Sequence, residues 1–378
     1  MRPKVLILGD YPHDGEIPTG GIMRSVYSTT QALSKMSPEF DYHVVTLSDK
    51  VPCTIDSHNG NLTVRYVRFP LRNKPILFPK IISKRIVLEE IERINPDLVH
   101  ANGTSWEYGY PAVSWSACPV ILTVHGMSHN ESNYWHGFKG AWHRMTCTAM
   151  EAHVLGNAKN IVAVSSYVKR EIEGLTQASV EIISNPVESK FFEIVKCSRP
   201  NQLLFVGGIE ERKGLDVLIK ALHEVKKYIP DISLHIIGEV RSPQCYANLE
   251  RMIHELKLWN NVKILGKVSE SQLMAEYGIA TALVLPSYEE SEGIVILEAM
   301  ASGTPVIATR SGGAESVIGE SGYLCDRGDH EELAKWIQLA MVLRSARDHT
   351  AVVEKHSVEQ YLPENIARQY LEIYRRLL

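Results

Sequence analysis

No apolar run in the 378 residues approaches the roughly 20 needed to span a bilayer. No Cys-x-x-Cys pair occurs, and there is no Asp-x-Asp. The first absence excludes a membrane-embedded chain. The second excludes zinc ribbons and redox dithiols, so Cys53, Cys118, Cys147, Cys197, Cys245 and Cys325 read as free thiols of a reducing compartment. The third removes the simplest way of holding a divalent ion on a diphosphate, so no metal is expected. A basic excess is lacking too: 40 Lys and Arg stand against 44 Asp and Glu, which excludes a generally basic nucleic-acid binder. The N-terminus reaches Gly9 and Asp10 after one short apolar run, which resembles neither a signal peptide nor an anchor. A cytoplasmic protein is expected, and the sequons at Asn61, Asn102 and Asn130 then carry no weight. What is present is ordinary for a soluble chain, 44% hydrophobic and 22% charged, at a length that suggests two domains of about 150 residues or more.

Short β-branched runs alternate with helical stretches, the pattern of parallel sheets flanked by helices. Strands are expected at 4–10, 42–48, 63–69, 97–102, 120–126, 160–166 and 180–184, with a helix over about 22–36. The segment 186–200 has no period and reads as a linker. Alternation then restarts at 202–208, 233–239, 261–268, 281–287, 304–310 and 322–326. Two α/β, doubly wound, Rossmann-like domains follow, 1–185 and 201–358. A ligand is expected outside the carboxyl ends of their strands, in a cleft between the two.

Residues 286–317, PSYEESEGIVILEAMASGTPVIATRSGGAESV, carry the densest chemistry. Glu290 and Glu298 are eight residues apart, about 12 Å if helical. That exceeds the roughly 5–9.5 Å of glycosidase pairs and suits two carboxylates on different hydroxyls of an extended ligand. Gly293 opens a helix there, with the backbone N–H groups of Gly293, Ile294 and Val295 at its positive end. The loop VGGIEERKGLD, 206–216, repeats the strand–glycine–helix theme and adds Arg212 and Lys213, which reads as a pyrophosphate seat.

The chain resembles the family-4 retaining glycosyltransferases of the GT-B fold. Their E-x7-E motif falls on Glu290 and Glu298. The resemblance extends to the Gly20-Gly21 loop, TVHG ending at His125–Gly126, ISNPV at 183–187 and the RKG loop at 212–214. It implies a hexose or N-acetylhexosamine moved from a nucleotide diphosphate sugar, UDP-linked first and GDP-linked next, to a glycan or lipid-linked acceptor in polysaccharide or glycoconjugate synthesis. Residues 1–185 would bind the acceptor and 201–358 the donor, and a last helix, 359–378, would pack back on the N-terminal domain. The implied catalytic residues are Glu290, His125 and Lys213. The implied donor contacts are Gly20, Gly21, Arg212, Lys213, Glu290, Ser291, Gly293 to Val295, and Glu298. Many members carry an arginine where Gly208 stands and an aromatic residue where Glu292 stands, so Arg212 is expected to supply the missing cation.

His125 and His129 are four apart but follow a strand and lack a third ligand, so they do not read as a metal site. The basic, apolar stretch 65–85 and the run 136–144 suggest peripheral contact with anionic lipid at the inner face of a membrane. A nucleotide-sugar epimerase, a phosphorylase and a non-catalytic sugar-nucleotide binder are the alternatives on the same fold.

Overall fold

The computed structural model describes residues 2–70, 77–115, 117–131, 134, 137–197, 199–319, 321–345 and 358–378. The chain forms two compact units. One runs to Pro186 and takes back Pro363–Leu378; the other is Val187–Leu362.

The first unit holds eight strands: β1 (Lys4–Leu8), β2 (Asp41–Ser48), β3 (Ile55–Asn59), β4 (Leu62–Arg68), β5 (Leu98–Asn102), β6 (Val120–Val124), β7 (Asn160–Ala163) and β8 (Ser179–Ile182). Their order is β3-β4-β2-β1-β5-β6-β7-β8, parallel except for β3 against β4. Seven of the eight follow the apolar runs, which suit strands covered on both faces, although β8 at the sheet edge is partly exposed. The exception, β3, reads IDSHN and is largely exposed. It forms because Gly60, at φ +61°, turns the chain into an antiparallel edge hairpin. The order reverses at β1, which has β2 on one side and β5 on the other. Asn102 at the end of β5 donates to the Leu8 carbonyl at the end of β1, closing that switch point.

The terminal helix, Pro363–Leu377, belongs to this unit, while Glu359–Tyr361 before it is a 3₁₀ turn. Ile366, Ala367, Tyr370, Leu371 and Tyr374 recur at helical spacing and are buried. The Tyr374 hydroxyl lies 2.6 Å from His100 Nδ1, and the Tyr370 hydroxyl 3.1 Å from Thr123 Oγ1, both on central strands.

The second unit is a six-stranded parallel sheet of β9 (Gln202–Val206), β10 (Ser233–Ile237), β11 (Val262–Gly266), β12 (Ala282–Leu285), β13 (Val306–Thr309) and β14 (Tyr323–Cys325). The order is β11-β10-β9-β12-β13-β14. The reversal falls between β9 and β12, so the loops leaving these two strands, 207–214 and 286–293, share one switch point. The segment 186–200, read from the sequence as a linker, contributes residues to this unit's core. Val187, Phe191 and Ile194 are buried, Phe191 meets Tyr277 edge to face at 5.7 Å, and Lys196 Nζ donates to the carbonyls of Tyr277 and Ala280. The segment shows no period because it is a short irregular strap whose apolar residues are placed singly.

Candidate active site

At the switch point of the second unit, Lys213 Nζ donates to Glu290 Oε1 at 2.6 Å, and the Ser287 hydroxyl donates to the same oxygen at 2.7 Å. Burial alone would raise the Glu290 pKa. The charges of Lys213 and Arg212, with the two hydrogen bonds, outweigh it and hold the carboxyl below its ordinary value. The Glu290 backbone is clamped independently of its side chain: its N–H donates to Ser311 O at 2.9 Å, and Gly313 N–H donates to its carbonyl at 2.8 Å. The glycine turn at Gly312 and Gly313 is therefore part of the site's support. A Cβ on Gly313 would lie 2.1 Å from the Ser291 carbonyl.

Gly293, at φ +87°, caps the helix Ile294–Ala301, which carries Glu298 one turn inward. Glu298 is buried and accepts from the Tyr277 hydroxyl at 2.8 Å. Ser291, Ile294 and Val295 are half-buried beside it, and Glu292 is buried. Arg212 does not extend outward: it donates to the Glu289 carbonyl at 3.0 Å and pairs with Glu210 at 3.1 Å. Its expected role as the replacement cation is thus limited by two protein partners. Lys213 and Arg212 sit in a 3₁₀ turn that ends at Gly214, φ +64°.

In the first unit, Gly20 (φ +76°) caps the helix Gly21–Met36, and both glycines are exposed. His125, just beyond β6, is buried, with Nδ1 2.9 Å from Asn185 Oδ1 and Nε2 3.0 Å from Asn102 Oδ1. Burial pushes its pKa down to about 4 and that of His100 to about 3. A neutral ring donates from one nitrogen only, so one of the two amides presents its NH₂ to the other nitrogen. His129 has separate partners: its Nδ1 is 2.8 Å from Glu151 Oε2, and Glu151 also accepts from the backbone of Ser128 and His129. Among the described residues no three His, Cys, Asp or Glu side chains stand together as metal ligands.

Both buried rings stay neutral when folded and titrate near about 6.5 when unfolded. The stability they contribute is full above that value and is lost as pH falls toward 4 and 3. The loss approaches about 1.4 kcal/mol per pH unit for each ring. Urea unfolding of the first unit is expected to show about 4 kcal/mol less stability at pH 5.0 than at pH 7.5, about 2 kcal/mol from each ring. A flat profile over that range would contradict buried neutral imidazoles.

Sequence reasoning missed Ser287, Tyr277, Asn102, Asn185 and Glu151. Ser287 had a local signal, three residues before Glu290; the others meet their partners across 21 to 60 residues of sequence. Of the basic stretch, Arg65 pairs with Asp56 at 2.9 Å, Arg85 pairs with Glu89, and Lys84 lies over the Tyr110 ring at 4.2 Å. Arg72, Lys74 and His136 lie outside the described residues, as do the side chains of Phe78, Lys80 and Phe138. No helix among the described residues is long and apolar enough to cross a membrane.

Two doubly wound sheets, one with paired cation and carboxylate at its switch point, define a protein of the GT-B fold. Over its whole length the chain superposes on a sucrose-phosphate synthase from Thermosynechococcus elongatus with a TM-score of 0.83 at 21% identity, covering 99% of that chain. It superposes on an Anabaena protein solved with UDP and glucose with a TM-score of 0.72 at 17% identity, covering 99% of this chain and all of that one. Residues 187–352 match the model for glycosyl transferases group 1, and residues 19–191 match that for glycosyltransferase family 4. The chain belongs to this glycosyltransferase family. A glycogen synthase from Mycobacterium tuberculosis is 28% identical over 273 residues, 69% of this chain and 63% of that protein's length.

Proposed function

We propose that this chain is a retaining glycosyltransferase. It moves a hexose or N-acetylhexosamine from a nucleotide diphosphate sugar to an acceptor hydroxyl of a glycan or lipid-linked saccharide. The observation that carries the reading is the Lys213–Glu290 pair at the β9/β12 switch point, a buried carboxylate for sugar hydroxyls beside a cation for phosphate. UDP is preferred over GDP as the donor nucleotide, in line with the UDP complex of the Anabaena neighbour.

In the proposed reaction the acceptor oxygen bonds to the anomeric carbon from the face that the diphosphate leaves. The carbon–phosphate oxygen bond breaks, and the acceptor's proton passes to the departing phosphate. Lys213 and the helix start at Gly293 stabilise the charge that develops on the leaving group, so no metal is required. Glu290 holds sugar hydroxyls. Glu298 holds the ribose hydroxyls.

A thermal-shift series with UDP, GDP and ADP, each with and without EDTA, tests this. Stabilisation by UDP that EDTA does not change is expected, about 2.7 kcal/mol at a hundredfold excess over Kd. No shift with any of the three would favour a scaffold that binds no donor. Turnover of donor alone would mark an epimerase, and dependence on free phosphate a phosphorylase.

Peripheral membrane contact is proposed in a narrower form, through exposed Ile81, Arg85, Trp142 and Met145 and not through Arg65 and Lys84, which are engaged by Asp56 and the Tyr110 ring. Failure to sediment with anionic vesicles at low salt would remove it.

A further inference from the structure

Gly207 and Gly208 leave the end of β9 without side chains, and two cationic stems from elsewhere cover the space. A Cβ built on Gly207 would lie 3.3 Å from the Phe205 ring and touch Lys213 Cδ at 3.7 Å. A Cβ on Gly208 would lie 2.7 Å from Arg241 Cδ and 2.9 Å from its Nε. Arg241 thus occupies the volume that a side chain at 208 would need. It comes from the loop after β10, and that loop is laced to the glycine loop. Ile209 N–H donates to Glu239 O at 2.8 Å, Arg241 and Ser242 N–H both donate to Ile209 O, and the Ser242 hydroxyl donates to Glu211 at 2.7 Å.

We infer that Arg241 is a second cation for the donor's diphosphate and that Gly208 is the glycine that makes room for it. This rests on the donor-site reading above. The diphosphate of a nucleotide sugar carries about two negative charges and the released nucleoside diphosphate about three near neutral pH, more than Lys213 balances alone, and guanidinium groups suit phosphate oxygens. Arg212 is committed to the Glu289 carbonyl and to Glu210. The Arg241 side chain is 51% exposed, and its ion pair with Glu210 is long, 3.6 Å against 2.6 Å for Lys213–Glu290. Its base is fixed by backbone bonds while its charged end faces solvent beside the switch point. The Gly208 φ lies outside the left-handed region, so an L side chain is accepted there once Arg241 is cut back.

The test is calorimetric titration of the full chain with UDP and UMP, and with GDP and GMP. Arg241→Ala is expected to weaken diphosphate binding about tenfold while monophosphate binding changes less than about threefold. Gly208→Ala, whose Cβ displaces the Arg241 stem, should act in the same direction. The double variant Gly208→Arg with Arg241→Ala should return UDP affinity to within about threefold of wild type, since the charge re-enters the same volume. Unchanged diphosphate affinity in Arg241→Ala overturns the inference and leaves the donor site standing. An equal loss for UMP and UDP also overturns it, marking a general structural role. If wild type binds neither UDP nor GDP, the donor reading itself fails and this inference with it.

Discussion

Glu290→Ala is expected to lower turnover about a thousandfold, the range for removing a group aimed at the reacting centre, with a smaller loss of stability than Lys213→Ala, because the flexible lysine left behind can turn its charge toward solvent. The fold tolerates it because Ser311 and Gly313 hold the Glu290 backbone, not its carboxylate. Lys213→Ala should differ in kind. It leaves Glu290 buried and without its main counter-charge, which costs roughly 3 kcal/mol or more in addition to activity. The sign with pH follows. The depressed Glu290 pKa contributes stability that is present above the ordinary carboxylate value and is lost as pH falls through the folded one. In Lys213→Ala that acid-side loss should shrink. Steady-state assay and urea unfolding of both variants separate the two effects. Near-wild-type turnover in Glu290→Ala would remove its assigned role.

Gly214→Ala carries the second large effect. Its φ is +64°, and a Cβ there would lie 2.1 Å from the carbonyl oxygen of Pro286, the residue that starts the Glu290 loop. The left-handed backbone costs about 1–2 kcal/mol for alanine, and the forced separation about 1–3 more. A fall of roughly 6–12 °C in the second unit's melting temperature follows, with loss of activity because the Lys213 and Glu290 loops part. Gly266→Ala is the control: its φ is +65° with nothing within 4 Å, so it isolates the backbone cost. Equal shifts for the two variants would show that contact with Pro286 is not what makes Gly214 necessary.

The sheets were legible because parallel strands buried on both faces are written as apolar runs such as KVLIL and ALVL. The hairpin strand Ile55–Asn59 was not, since it buries little and depends on the turn at Gly60. Within the site, Glu290, Glu298 and Lys213 stand in a local motif that a reader can find. Arg241 does not: it lies 33 residues from Gly208, and only the pairing of β9 with β10 brings it there. The 186–200 segment misled for the opposite reason. Absence of period signals an absence of regular structure, yet Phe191 and Ile194 are buried one at a time without it.

Because Pro363–Leu377 completes the first unit after the chain has traversed the second, the order of synthesis and the order of assembly differ. A ribosome making roughly 5–20 residues per second needs about 10–40 s to pass from Pro186 to Tyr374. During that interval the nascent first unit lacks the tyrosine pair that meets His100 and Thr123. The second unit, continuous from Val187 to Leu362, can close its core before the first one does. The protein therefore emerges with its earlier-made half waiting on the helix Pro363–Leu377.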